Sequence, residues 1–160
     1  LGARFDRDGE LASAGSVNSP VLEKLLQNPY FSLPPPKSLD RDAFSLELLR
    51  DLSPQDGAAT LAAFTAQAVC EAANLLPSEP LCWLVTGGGR YNKVVMEELT
   101  IRLGIKVEPV EVAGWDGNAL EAEAFAFLAV RAVKQRPLSW PTTTGVAHPC
   151  VGGVIHRPPP

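Results

Sequence analysis

Leu81-Cys82-Trp83-Leu84-Val85-Thr86, then Gly87-Gly88-Gly89-Arg90-Tyr91-Asn92, then a helical pattern of Val94, Val95, Met96, Leu99 and Leu103 stopped by Gly104, then Ile105-Lys106-Val107-Glu108-Pro109-Val110, follow one another along the chain. The first run is apolar throughout, of strand length, and bounded by Pro80 and Gly87, which predicts an interior strand covered on both faces. The last run alternates, and Pro109 confines it to an edge or a strand end because proline lacks the N–H that a ladder uses. Strand, glycine turn, helix and strand make a β-α-β unit, and a crossover of that kind implies an α/β protein with parallel pairing.

Upstream of this unit, Leu61, Phe64, Thr65, Ala68, Val69, Ala72 and Leu76 recur at helical spacing after Ser53-Pro54, predicting a buried helix over 54–76. Its alanines leave room for another element to approach closely. Asn18-Ser19-Pro20 supplies a cap and a proline for a helix over 19–28. Pro34-Pro35-Pro36 forces a rigid loop, read either as a spacer or as a rim presenting Lys37 and Ser38. Residues 41–50 read as a short helix. Downstream, Gly114-Trp115-Asp116-Gly117 is a turn, Asn118 a helix cap, and 119–135 a helix that Pro137 ends. The remainder, closing on Pro158-Pro159-Pro160, reads as loop around a short apolar run at 151–155. No internal repeat is visible. The 160 residues amount to one domain, and an opening at Leu1 rather than Met suggests a fragment.

Composition narrows the function classes. With 46% hydrophobic and 20% charged residues the chain is ordinary globular sequence, and 14 Lys+Arg against 18 Asp+Glu leave a formal charge of −4. Such a balance offers no footprint for phosphate backbones or anionic lipid, so neither nucleic acid nor membrane is an expected partner. No apolar run approaches the roughly 18–20 residues of a membrane span, and the opening residues Leu1 to Asp8 lack the apolar stretch of a signal peptide. The chain reads as soluble and cytoplasmic. Cys70, Cys82 and Cys150 are odd in number and lack metal-ligand spacing; Cys70 and Cys82 read as core and His148-Pro149-Cys150 as loop, in a reducing compartment.

Two places hold candidate chemistry. Gly87, Gly88 and Gly89 follow a buried strand at the sheet edge where open α/β sheets bind ligands, and glycines there let backbone N–H groups approach a ligand; a tight strand-to-helix turn explains them equally well. Neither the dinucleotide-binding nor the P-loop spacing is present. Glu121 stands at capping-box distance from Asn118, a sufficient local role, while a carboxylate in the first turn of a helix near that edge is also placed to bind sugar hydroxyls. Asp6, Asp8, Asp40, Asp42 and Asp116 read as solvated loop carboxylates. No Ser/His/Asp or Cys/His set is present.

Taken together, Phe5-Asp6-Arg7-Asp8-Gly9-x-x-Ala12-x-x-Gly15, Pro29-Tyr30-Phe31, Pro36-Lys37-Ser38, Ala59-Thr60-Leu61 with Thr65-Ala66, Gly87-Gly88-Gly89-x-x-Asn92, Glu121-Ala122-x-Ala124-Phe125-Ala126-x-Leu128-Ala129 and Thr144-Gly145 resemble the C-terminal part of anhydro-N-acetylmuramic acid kinases. The resemblance spans nearly the whole chain. It implies an α/β fold, one lobe of the sugar kinase, Hsp70 and actin (ribonuclease H-like) type with a mixed sheet flanked by helices, so that residues 1–160 are the C-terminal lobe of a two-lobe kinase. It implies an enzyme that opens the 1,6-anhydro ring with water while passing the γ-phosphoryl of ATP to O6, with Mg2+, in recycling of cell-wall sugar. It assigns Gly87, Gly88, Gly89 and Asn92 to the nucleotide and Glu121 to the sugar, and leaves a homodimer as an assembly to test. The family's base aspartate, in a D-T-G-P-G-N-like segment, and its first phosphate loop would lie upstream; no catalytic residue and no metal ligand is expected in this chain, and the isolated chain is expected to be inactive. Leu39-Asp40-Arg41-Asp42 departs from the family's Thr-Gly-Arg-Glu, which puts a direct role for that loop in doubt. The competing expectation is a non-catalytic nucleotide-binding or chaperone-like domain of the same superfamily.

Overall fold

The helix α3, Pro54–Ala73, is the element on which the first half of the chain is assembled. Ser53 starts it: its hydroxyl oxygen accepts from the Asp56 N–H at 3.0 Å and its O–H donates to Asp56 Oδ2 at 2.8 Å. Ala59, Ala62, Ala63 and Ala66 are buried, the last two completely, and their small side chains let α1 (Glu10–Ser13), α2 (Ser19–Leu26) and α4 (Lys93–Leu103) pack close to the α3 axis. Leu22, Leu25 and Leu99 complete this core from the neighbouring helices. The structure is a computed structural model that describes residues 5–156. The opening residue and the terminal proline run singled out above lie outside the described residues.

Polar groups fix the register between α3 and the segment before α2. Thr60, fully buried, donates to the Asp56 carbonyl at 2.7 Å and accepts from the Asn18 N–H at 2.9 Å. Asp56 Oδ1 accepts from the Ser16 N–H at 2.8 Å. These bonds hold the Asp56 carboxyl below its usual range, the Ser16 amide first and the Ser53 hydroxyl second. A depressed carboxyl stabilises the fold above its unfolded pKa, and that contribution is lost as pH falls through the lower folded value. Asp56→Asn should therefore flatten the acid side of a Tm-against-pH curve below about pH 5. A mutant curve as steep as the parent's would contradict this.

The elements agree with the sequence pattern except at particular ends. Asn18 caps α2 by accepting from the Val21 N–H at 3.0 Å, but the helix stops at Leu26 because Asn28 caps a separate 3-10 turn, Pro29–Ser32. Residues 41–50 form two 3-10 turns, Arg41–Ala43 and Leu46–Leu49, and not one helix; the Ser45 side chain takes the Glu47 N–H and breaks the run. The α3 helix ends at Ala73, short of 76, with Leu75 and Leu76 in a tightened, exposed turn. Lys37 is no rim residue: its ammonium donates to the Tyr30 and Phe31 carbonyls at 2.9 and 3.1 Å and lies 4.6 Å from the centroid of the Tyr30 ring. The proline loop thus closes on the aromatic cluster of Phe31, Phe44 and Phe64.

The β-α-β unit is present. Strands β1 (Cys82–Val85) and β2 (Lys106–Pro109) pair in parallel, from Cys82 against Lys106 to Val85 against Pro109, with α4 as the crossover. Pro109 takes the last paired position, where its missing N–H does least harm. The expectation of an interior strand fails among the described residues: β1 pairs with β2 alone, Trp83, Leu84 and Val85 are only half-buried, and Leu81 just before it is 94% exposed. Cys82 is accordingly exposed, against its reading as core, whereas Cys70 is buried and its thiol is pushed up by burial. Helix α5, Leu120–Val133, buries no residue. After it, α6 (Pro141–Thr144) and an antiparallel bridge of Ser139 with Cys150 organise a stretch read as loop.

Candidate functional site

The turn after β1 is a place where only glycine serves. Gly87 has φ +70° and ψ −172°, a region essentially closed to residues with a Cβ. Gly88–Tyr91 then make a 3-10 turn that delivers the chain to Asn92 and α4. Among the described residues an added Cβ at Gly87, Gly88 or Gly89 would meet nothing within 4 Å beyond its chain neighbours, so these backbones face open space. The Asn92 side-chain oxygen accepts from the Val94 and Val95 N–H groups, both at 3.1 Å, and so caps α4. It also lies against Gly9, where an ideal Cβ would stand 2.5 Å from it. Asn92 therefore shapes the turn, with its carbonyl oxygen already committed.

Two clefts flank this turn and share Gly88. The larger, about 680 Å³, is lined by Phe5, Asp6, Arg7, Asp8, Gly88, Gly89, Tyr91, Asn92 and Val95. The smaller, about 480 Å³, is lined by Thr86, Gly87, Gly88, Arg90, Gly117, Asn118, Leu120, Glu121 and Ala124. The sequence candidates are thus brought together: the glycines form the ridge, Asn92 lines one side and Glu121 the other.

The capping-box reading of Asn118 and Glu121 is overturned. Helix α5 begins at Leu120, with the Asp116 carbonyl accepting from the Ala119 and Leu120 N–H groups and no side-chain cap. The Asn118 oxygen accepts instead from Arg90 Nη2 at 2.9 Å and from the Tyr91 hydroxyl at 3.1 Å. Glu121 is exposed and makes no hydrogen bond or ion pair among the described residues, so its carboxylate is free to accept from a ligand. At the first turn of α5 it also lies with the favourable end of the helix dipole. Three of the loop carboxylates accept from backbone amides and are not simply solvated. Asp40 Oδ1 accepts from the Asp42 N–H at 3.0 Å. Asp6 accepts from the Leu11 and Ala12 N–H groups at 2.8 and 3.0 Å, and Asp116 Oδ1 accepts from the Asn118 N–H at 2.9 Å.

Arg90 is the residue that sequence reasoning missed. It is 7% exposed, and its guanidinium reaches Glu111 Oε1 at 2.9 Å, the Gly87 carbonyl at 2.7 Å and Asn118. It also lies 4.0 Å from the centroid of the Tyr91 ring. Glu111 is held below the ordinary carboxylate range by its own backbone N–H and then by Arg90, against the opposing effect of burial. No periodicity marks an arginine inside a glycine turn; the one trace is Gly117, where a Cβ would stand 2.5 Å from Arg90 Nε.

A parallel β-α-β unit with a glycine ridge between two clefts makes this an α/β protein. A family model described as anhydro-N-acetylmuramic acid kinase matches residues 1–158. Similar curated proteins carry the same name: one from Rhodospirillum rubrum is 57% identical over 152 residues, covering 95% of this chain and 40% of that protein. One from Rhodopseudomonas palustris is 50% identical over 159 residues, covering 99% and 43%, and one from Acidiphilium cryptum is 52% identical over 162 residues, covering 99% and 45%. The chain belongs to the anhydro-N-acetylmuramic acid kinase family, and it spans less than half the length of these relatives.

Proposed function

We propose that the chain is the C-terminal lobe of a two-lobe kinase that opens the 1,6-anhydro ring of anhydro-N-acetylmuramic acid and phosphorylates O6, giving the 6-phosphate of the opened sugar. The observation that carries this reading is that the unpartnered Glu121 carboxylate and the open backbone of Gly87 and Gly88 line one cleft. The larger cleft takes the nucleotide against Gly88, Gly89 and the Asn92 end of α4; the smaller takes the sugar against Glu121. Gly88 lies where the two meet, so the phosphoryl group passes over a residue with no side chain to obstruct it.

The chemistry assigned to the whole enzyme couples two bonds. A water oxygen adds to C1 as the C1–O6 bond breaks, its proton going to a base; O6 bonds to the γ-phosphorus as the bond to the leaving ADP breaks. What this chain supplies is placement. Donor and acceptor held in line turn a bimolecular step into an effectively unimolecular one, and in phosphoryl transfer positioning and electrostatics carry most of the rate. Glu121 accepts hydrogen bonds from sugar hydroxyls and fixes the ring. Magnesium is a different matter: among the described residues no group of three His, Cys, Asp or Glu side chains is placed to hold a metal ion. The water-activating aspartate and the first phosphate loop are assigned to the rest of the longer protein. We place the enzyme in the cytoplasm; among the described residues no helix is long and apolar enough to cross a membrane.

The test compares this chain with the full-length protein in an assay for ATP-dependent formation of the 6-phosphate from the anhydro sugar. Full-length protein should turn over and the isolated chain should not. Turnover by the isolated chain would remove the two-lobe assignment. A full-length protein that binds ATP without acting on the sugar would favour a non-catalytic nucleotide-binding domain.

A further inference from the structure

A buried guanidinium is costly unless every donor is met and the charge is paired. Arg90 is paired with Glu111, each of its three guanidinium nitrogens donates to a partner, and those partners come from separate parts of the site. Nη1 donates to the carbonyl of Gly87, the residue that opens the glycine turn, at 2.7 Å. Nη2 donates at 2.9 Å to Asn118, which stands just ahead of Glu121, and at 2.5 Å to the Tyr91 hydroxyl. Nε donates to Glu111 Oε1, which supplies the counter-charge. The Tyr91 hydroxyl also donates to Asn118 and closes the ring of contacts. Gly117 leaves the space that the guanidinium fills, since a Cβ there would lie 2.7 Å from Cζ. A planar fork with donors in several directions can hold these acceptors at once, whereas a lysine ammonium on a flexible stem cannot hold them in one plane.

We infer that Arg90 is a positioning residue that sets the separation of the glycine turn from Glu121, and with it the alignment of the phosphoryl donor with the sugar. The inference rests on the proposed function above. It assigns Arg90 no contact with either substrate: each substrate keeps its own wall, and Arg90 ties one wall to the other. Its loss therefore acts on turnover more than on affinity, because displacement by a fraction of an ångström to an ångström is enough to slow a transfer that depends on alignment.

The experiment uses the full-length protein with Arg90→Lys, Asn118→Ala and the double variant, with steady-state kinetics in both substrates and the Tm of each. Arg90→Lys should lower kcat at least about tenfold per folded molecule while KM for ATP and for sugar each stay within about twofold. Asn118→Ala, at an exposed position and with Arg90 Nη2 still donating to the Tyr91 hydroxyl, should lower kcat in the same selective way by a smaller factor. The double variant should be no worse than Arg90→Lys alone, because both changes cut one link. An unchanged kcat per folded molecule in both single variants would overturn the inference. So would a rise in KM at constant kcat, or multiplicative losses in the double variant. If Arg90→Lys does not fold, Asn118→Ala decides by itself. Glu121→Gln, run alongside, separates the two readings: if it too leaves sugar kinetics unchanged, the proposed function has failed; if it lowers them while Arg90→Lys does nothing, only the role of Arg90 has failed.

Discussion

Gly15→Ala should destabilise the fold by about 3 kcal/mol, a shift of several degrees in Tm. Gly15 lies where the chain leaves α1 and passes over the first turn of α3. An ideal Cβ there would stand 2.2 Å from both the carbonyl carbon and oxygen of Gln55 and 2.7 Å from the Asp56 nitrogen. The obstacle is backbone, so no rotamer change relieves it. Moving the segments apart stretches the Ser16 bond to Asp56 and the Asn18 bond to Thr60. Overpacking costs about 1–3 kcal/mol and each hydrogen bond weakened adds about 0.5–1.5 kcal/mol, which together give the figure above. Gly57, inside α3 with nothing within 4 Å of its position, is the control: Gly57→Ala should be neutral or stabilising, since alanine is the better helix former. If the two variants melt alike, the packing account of α1 on α3 is wrong.

Glu121→Gln should lower kcat/KM for the sugar at least about tenfold in the full-length protein while leaving Tm nearly unchanged. A charged acceptor to a buried ligand hydroxyl contributes about 1.5–3 kcal/mol, and each tenfold in kcat/KM is about 1.4 kcal/mol. The stability side is simpler than a capping box would make it. Glu121 caps nothing in α5, is exposed and makes no hydrogen bond or ion pair among the described residues, so the substitution falls among exposed changes worth within about 0.5 kcal/mol. A variant that melts early yet turns over sugar normally would remove Glu121 from the site.

The sequence made the β-α-β unit legible because its periodicities are local: an apolar run, a glycine break and a helical stripe each follow from neighbouring residues. The same holds for the caps at Asn18 and Ser53, where the acceptor and its N–H are close along the chain. What stayed hidden was set by contacts between distant segments. Asn118 has the right residue type and spacing for a cap, and Arg90, far from it in sequence, takes its oxygen. Lys37 looks like a surface cation and is turned onto the Tyr30 and Phe31 carbonyls. The burial predicted for β1 failed in another way: apolarity on both faces records what a strand is suited to pack against, and the described residues supply one neighbouring strand. Of the site, the glycine turn was readable from its own sequence, whereas Glu121 was proposed for the sugar on the family resemblance alone and lost its role as a cap to the geometry.

The central claim is that one ridge divides a nucleotide side from a sugar side, and calorimetric titration of ATP and of the anhydro sugar into full-length Gly88→Val and Glu121→Gln tests it most directly. Among the described residues a Cβ at position 88 meets nothing within 4 Å beyond its chain neighbours, so valine there fills cleft and not core, and the fold should survive. The account predicts a crossed pattern: Gly88→Val weakens ATP more than sugar, and Glu121→Gln weakens sugar while ATP binds as in the parent. Equal ATP affinity in Gly88→Val and parent, or a loss of both ligands in parallel in each variant, would contradict it.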